Sequence, residues 1–78
     1  MSLSVKEYRK EVKKAAYEVS GGSAMMTLKQ AAGFAGQKNP QRALQGIFYG
    51  LPRTPGRGLY TDDVVDAICR ERNEKGWL

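Results

Sequence analysis

The sequence lacks histidine and has a single cysteine, and these absences exclude several kinds of functional site. Cys69 cannot close an intrachain disulfide, and without histidine it has no partner for a Cys/His zinc cluster or a Cys/His catalytic pair. It is expected to be a small core residue. The acids of the C-terminal part gather near the start of a predicted helix and offer no acid-base constellation. We therefore expect no enzyme activity, no catalytic residue, no metal and no cofactor.

Long apolar runs are also missing. No run approaches the roughly 18 residues that a membrane span needs, and the opening letters MSLSVKEYRKEVKK alternate in charge and do not form a signal-peptide core. The single cysteine favours a reducing compartment. We expect a soluble, cytoplasmic protein with no membrane partner. A chain of 78 residues has room for one domain with one modest core.

Acidic residues are absent from the middle of the chain, and this absence gives the charge its pattern. Residues 27–60, here called the basic segment, contain five Lys/Arg and no acid. Residues 1–26 contain five Lys/Arg and three Glu, and residues 61–78 contain three Lys/Arg and five acids. The net charge of +5 is therefore carried by the basic segment. Such segregation suits a polyanion, because each phosphate contact releases condensed counterions. The competing interpretation is that the charge serves solubility alone.

The first predicted element of the chain is an amphipathic helix in residues 1–22. Ser4 and Glu7 have the spacing of a capping box, and a helix is predicted to run to about Ser20 before Gly21 and Gly22 end it. The apolar stripe can pack on its own domain or on a second copy as a homodimer, and its short length favours the first. The positions at spacings of 3, 4, 3 and 4 are Val5, Tyr8, Val12, Ala15 and Val19.

Two further helices are predicted within the basic segment. After a flexible joint at residues 21–24, Thr27 and Gln30 again have capping-box spacing, and the helix that they begin is rich in alanine up to Gly36. Asn39 followed by Pro40 starts the next helix, predicted to run to about Tyr49 with Gly46 in its interior. Arginine can bond guanine and glutamine can bond adenine in the major groove, so we predict as base-reading residues Gln41, Arg42, Gln45 and Tyr49.

A loop rich in proline and glycine follows, and then a last helix. Residues 51–60 read as two short extended pieces around a Pro-Gly turn, with Leu59 and Tyr60 anchoring the returning strand. Thr61 is predicted to cap the last helix, whose buried stripe comprises Val64, Val65, Ile68 and Cys69. Near its end, Gly76 and Trp77 read as a helix stop with an apolar residue. The residues predicted to contact the DNA backbone are Lys29, Lys38, Arg53, Thr54 and Arg57.

The order of these parts resembles the winged helix-turn-helix domains of the MerR and phage-excisionase superfamily. The letters that carry the resemblance are TLKQAA at residues 27–32, the helix at residues 39–49, GLP at residues 50–52 and YTDDVV at residues 60–65. The resemblance implies DNA binding by the second of the two helices and by the loop, which would be the wing. Leu44 and Ile47 fit the pattern only after a shift of register, so the turn is longer than in simple repressors. The long dimerisation helix and effector domain of MerR regulators are missing, which favours an excisionase-like, phage-type protein.

The expected fold is therefore mainly α with a small β-wing, a winged helix-turn-helix preceded by an extra N-terminal amphipathic helix. Residues 1–22 form the helix and its joint, and residues 23–78 form the winged domain, within one compact unit. The expected function is binding of double-stranded DNA, in transcription regulation or as a recombination directionality factor. A rival from another class is a protein-interaction adaptor of the same fold, whose partners bind the N-terminal stripe and Trp77. RNA is disfavoured because the aromatic residues form no stacking arrangement.

Overall fold

A computed structural model describes residues 5–74 of the chain. Its elements, in chain order, are α1 (Val5–Val19), β1 (Met25–Met26), α2 (Leu28–Phe34), α3 (Pro40–Gln45), β2 (Leu59–Tyr60) and α4 (Thr61–Glu74). The protein is thus mainly α-helical with a small two-stranded antiparallel sheet. None of the helices in the described range is long and apolar enough to cross a membrane. The capping box predicted at Ser4 lies outside the described residues.

Glycine turns end the first two helices, as predicted. After α1, Gly21 has φ +70°, and the N–H groups of Gly21 and Gly22 donate to the carbonyls of Glu18 and Tyr17. After α2, Gly36 has φ +76° and the same pair of bonds recurs. This is the Schellman arrangement, in which a residue in the left-handed region closes the last turn, and glycine takes that conformation without a Cβ penalty.

The starts of α2 and α3 also follow the sequence prediction. The Thr27 hydroxyl accepts from the N–H of Gln30, and the Gln30 side chain accepts from the N–H of Thr27, both at 3.0 Å. The Asn39 side chain accepts from the N–H of Gln41 at 2.9 Å, with Pro40 in the first turn. These caps satisfy backbone donors that a helix cannot satisfy itself, so both helices begin at fixed residues.

The helix α1 packs along α4, which is the arrangement that the sequence favoured over a dimer. Val12 and Ala16 are buried in the core, Tyr8 is partly buried against it, and Val19 is 39% exposed. The predicted stripe through Ala15 and Val19 is therefore wrong in its C-terminal half, where the buried position is Ala16. At 3.6 residues per turn, the residue four positions after Val12 lies on the same face of α1. Ala16 is therefore buried in the contact with α4, and Val19 lies at the edge of that contact.

The strand β1 was not predicted. It pairs with β2, with Met25 opposite Tyr60 and Met26 opposite Leu59. The residues before it form a hydrogen-bonded turn where the sequence suggested a flexible joint: the hydroxyls of Ser20 and Thr61 both donate to the Ser23 carbonyl. Thr61 is fully buried and is the first residue of α4. Its hydroxyl therefore bonds α4 to the turn after α1 and does not cap the helix as predicted.

The core is formed by residues of all four helices and of the sheet. Alanines on α2 and α3 let these helices approach closely, since Ala31, Ala32 and Ala43 are each at most 2% exposed. The predicted stripe of α4 is confirmed, with Val64, Val65 and Cys69 buried and Ile68 partly buried against them. The largest fully buried side chains are Phe48, Leu59, Val64, Val65 and Thr61.

Candidate nucleic-acid interface

The helix α3 is shorter than the sequence predicted. It ends at Gln45, and Gly46 leaves the helix with φ −113° and ψ −107°. Beyond it the N–H of Phe48 donates to the Ala43 carbonyl at 2.9 Å, and that of Tyr49 to the Gly46 carbonyl at 3.0 Å. Residues 46–50 are thus a run of turns that carries Phe48 into the core. The prediction of helix to Tyr49, with Gly46 in its interior, is wrong, because Gly46 is the C-cap.

Three of the four residues predicted to read bases are exposed on α3. Gln41 and Gln45 are four residues apart and Arg42 and Gln45 three apart, so the three side chains share one face of the helix. Ala43 is buried and Leu44 partly buried on the core side. Tyr49 is 79% exposed, but it follows the end of the helix and does not continue this face.

The five cations of the basic segment are exposed and lie on successive pieces of the chain. Lys29 is on α2, Lys38 in the turn before α3 and Arg42 on α3, while Arg53 and Arg57 belong to the following loop. Within the described residues none of the five forms an ion pair, whereas Arg9 and Lys13 of α1 pair with Asp66 and Asp62 of α4. The basic segment therefore presents positive charge that carboxylates in the described part of the chain do not neutralise.

Residues 53–58, here called the 53–58 loop, are closed by their own hydrogen bonds. Thr54 donates from its N–H to the Gly58 carbonyl at 3.0 Å, and its hydroxyl accepts from the N–H of Gly58 at 3.0 Å. Thr54 is only 7% exposed, so the structure places it inside the loop and not on the contacting surface where we predicted it. A single bridge joins Arg53 to Leu59, and the main partner of β2 is β1.

The two arginines of the loop differ in their surroundings. The Arg53 guanidinium donates through Nε and Nη2 to the carbonyl oxygen of Arg57. Arg57 itself has φ +67°, and it is the one residue other than glycine with positive φ in the described range. Neither feature was visible in the sequence, although a Pro-Gly turn was.

A shallow groove beside this loop is lined by residues of the loop, by the two methionines of β1, and by hydroxyl and amide side chains of the turn after α1 and of the start of α2. Those groups already serve the backbone: Ser23 accepts from Met25, and Thr27 and Gln30 cap α2. Charged residues do not line it, so it contributes nothing to the positive surface.

The described residues contain no cluster of His, Cys, Asp and Glu that could hold a metal ion. Cys69 is buried, and burial raises the pKa of its thiol; the Arg9 charge opposes this shift and the Asp66 charge adds to it. A protonated, buried thiol is a poor nucleophile. This environment fits the predicted core role of Cys69.

The rival adaptor function would use the apolar stripe of α1 and Trp77. Val12 and Ala16 are buried where α1 packs on α4, so a partner or a second copy would have to displace α4 to bind this face of α1. Trp77 lies outside the described residues. No family model, curated protein or solved structure matches this chain significantly.

Proposed function

We propose that this protein binds double-stranded DNA, with α2, α3 and the 53–58 loop acting as a winged helix-turn-helix. The observation that carries the proposal is the basic segment: its five exposed cations, spread over both helices and the loop, have no carboxylate partner among the described residues. Uncompensated, exposed cations gain from binding phosphates without first breaking internal ion pairs.

In this proposal α3 enters the major groove with Gln41, Arg42 and Gln45 toward the base edges. Lys29, Lys38 and the 53–58 loop contact the backbone. The exposed α3 face combines the two side-chain types that form bidentate pairs with guanine and adenine, and its capped N-terminus fixes where that face begins. Occupying or bending DNA would make the protein a transcriptional regulator or an excisionase-like recombination factor.

A salt titration of binding to a fluorescent DNA duplex tests the proposal. We expect the affinity to fall steeply with salt concentration, with a slope of log K against log salt of about −0.9 for each phosphate contacted. Removing one exposed cation of the basic segment, in Lys29→Ala or Lys38→Ala, should reduce that slope by about 1.

Lys14→Ala is the matched control, because Lys14 is also exposed but lies on α1, outside the basic segment. It removes the same charge and should leave the slope unchanged. The proposal fails if the unaltered protein shows no salt-dependent binding to duplex DNA at micromolar concentration, or if Lys14→Ala weakens binding as much as the other two.

A further inference from the structure

The 53–58 loop holds one residue in a conformation that its side chain disfavours. Arg57 has φ +67°, in the left-handed region where a Cβ atom crowds the backbone. Gly56 and Gly58 flank Arg57. The positive φ therefore falls on the one residue of these three that carries a side chain. Such strain persists only where the surrounding structure imposes it.

Three hydrogen bonds to Arg57 impose it here. Its N–H donates to the Thr54 carbonyl at 2.9 Å, and its carbonyl accepts from both Nε and Nη2 of Arg53. Both donors of Arg53 that face the loop therefore converge on one backbone oxygen. Lysine could not reproduce this, since it has a single ammonium group and no planar fork.

The side chains of the two arginines consequently have different tasks. The charge of Arg53 is used within the loop, whereas the Arg57 side chain makes no hydrogen bond or ion pair with the described residues. The N–H and carbonyl of Gly58 are also bonded, so the base of the loop is fixed beneath Arg57.

We infer that Arg57 is the loop residue that contacts a DNA phosphate, and that Arg53 is a positioning residue that acts through the Arg57 carbonyl. This assignment rests on the proposed function and divides the roles of two arginines that the sequence treated alike. A residue fixed before binding loses less conformational entropy when it binds. The strain at Arg57 is the cost of placing its guanidinium on a fixed loop.

Four variants separate the two roles: Arg57→Lys, Arg57→Gly, Arg53→Lys and the double variant Arg53→Lys/Arg57→Gly. Each is titrated against the same DNA duplex over a range of salt, and each melting temperature is recorded. Arg57→Gly should bind several-fold more weakly with a salt slope reduced by about 1, while melting at least as high as the unaltered protein, because glycine accepts positive φ. Arg57→Lys should keep the slope.

Arg53→Lys should weaken binding several-fold at an unchanged slope, because the charge is kept and the phosphate contact is only misplaced. Its effect should vanish in the double variant, since a residue that acts through Arg57 has nothing to position once that side chain is gone. Additive losses in the double variant would show that Arg53 acts independently of the Arg57 side chain and would overturn the assignment.

The outcomes also distinguish the assignment from the function. If the unaltered protein binds duplex DNA and Arg57→Gly binds equally well, the assignment of Arg57 is wrong but the proposed function is not. An unaltered protein that shows no salt-dependent binding overturns the proposed function, and the phosphate contact of Arg57 with it.

Discussion

The backbone of Gly58 lies against the carbonyl of Met26, so closely that a Cβ atom on Gly58 would overlap the Met26 oxygen and lie 3.3 Å from Thr27 Cα. This contact joins the 53–58 loop to β1 and to the start of α2. Every atom in the way belongs to the backbone, so no side-chain rotation can relieve the overlap. Gly58→Ala should therefore lower the free energy of unfolding by about 1–3 kcal/mol, as overpacking does in cores.

Chemical denaturation measures this loss, and Gly56→Ala is its control in the same loop. A Cβ atom on Gly56 would meet only the Thr54 hydroxyl, at 4.0 Å, which is an ordinary contact. Equal effects of the two substitutions would show that Gly58 is not pressed against β1.

The part of the fold that follows from local chemistry was predictable. Caps at Thr27 and Asn39 and the glycine turns at Gly21 and Gly36 act within a few residues, so the sequence shows them directly. The strand β1 was not predictable in this way, because two residues carry no alternating pattern and become a strand only by pairing with β2, more than 30 residues later.

A second prediction concerns the seam between α1 and α4. Ala16 is fully buried, whereas its neighbour Ala15 is only partly so. Ala16→Leu should cost about 1–3 kcal/mol of stability through overpacking, and Ala15→Leu should change it by about 0.5 kcal/mol or less. Both substitutions add the same side-chain volume, at adjacent residues. Thermal or urea unfolding of the two variants therefore compares the room available at the two positions. A larger loss for Ala15→Leu would restore the stripe that the sequence spacing indicated.

The end of α3 shows why the candidate site was only partly predictable. The sequence places the polar residues Gln41, Arg42 and Gln45 on one face, and the structure keeps them there. The sequence could not show that the chain leaves the helix at Gly46, because that helix end depends on burying Phe48 in the core. Tyr49 was grouped with the other three by helical spacing, and that spacing ends with the helix.

A third prediction concerns pH and the bond that Tyr17 of α1 makes to Asp62 of α4. The Tyr17 hydroxyl donates to Asp62 Oδ1 at 3.1 Å. Burial, then this hydrogen bond and then the Asp62 charge raise the pKa of Tyr17 above its ordinary value near 10. The protonated phenol is thus favoured in the folded state, so its contribution to stability is present below about pH 10 and is lost as the pH rises through the raised pKa.

Stability measured by urea unfolding between about pH 8 and pH 11 should therefore fall less in Tyr17→Phe than in the unaltered protein. Tyr49→Phe is the control, because it removes a phenol that is 79% exposed. The three proteins differ only at positions 17 and 49, so the difference between their pH profiles reports on these two phenols. Identical pH profiles of the unaltered protein and Tyr17→Phe would contradict the prediction.

The last prediction concerns which residues of α3 choose the DNA site, and it depends on the proposed function. After a preferred duplex has been selected from random sequences, Arg42→Ala and Gln45→Ala should each lower the preference for it over unrelated duplexes by about 1–3 kcal/mol, the value of one bidentate base contact. Arg42→Ala also removes a charge, whereas Gln45→Ala does not. A loss of preference at constant salt slope in Gln45→Ala would therefore indicate a base contact and not a phosphate contact.

Gln37→Ala is the control for Gln45→Ala, since Gln37 is an exposed glutamine in the turn before α3. Tyr49→Phe should also keep the preference, because Tyr49 lies beyond the C-cap at Gly46 and is not in register with Gln41 and Gln45. If Tyr49→Phe lowers the preference while Gln45→Ala does not, the base-reading surface is centred on the turn after α3. The short helix would then serve to present that turn to the DNA.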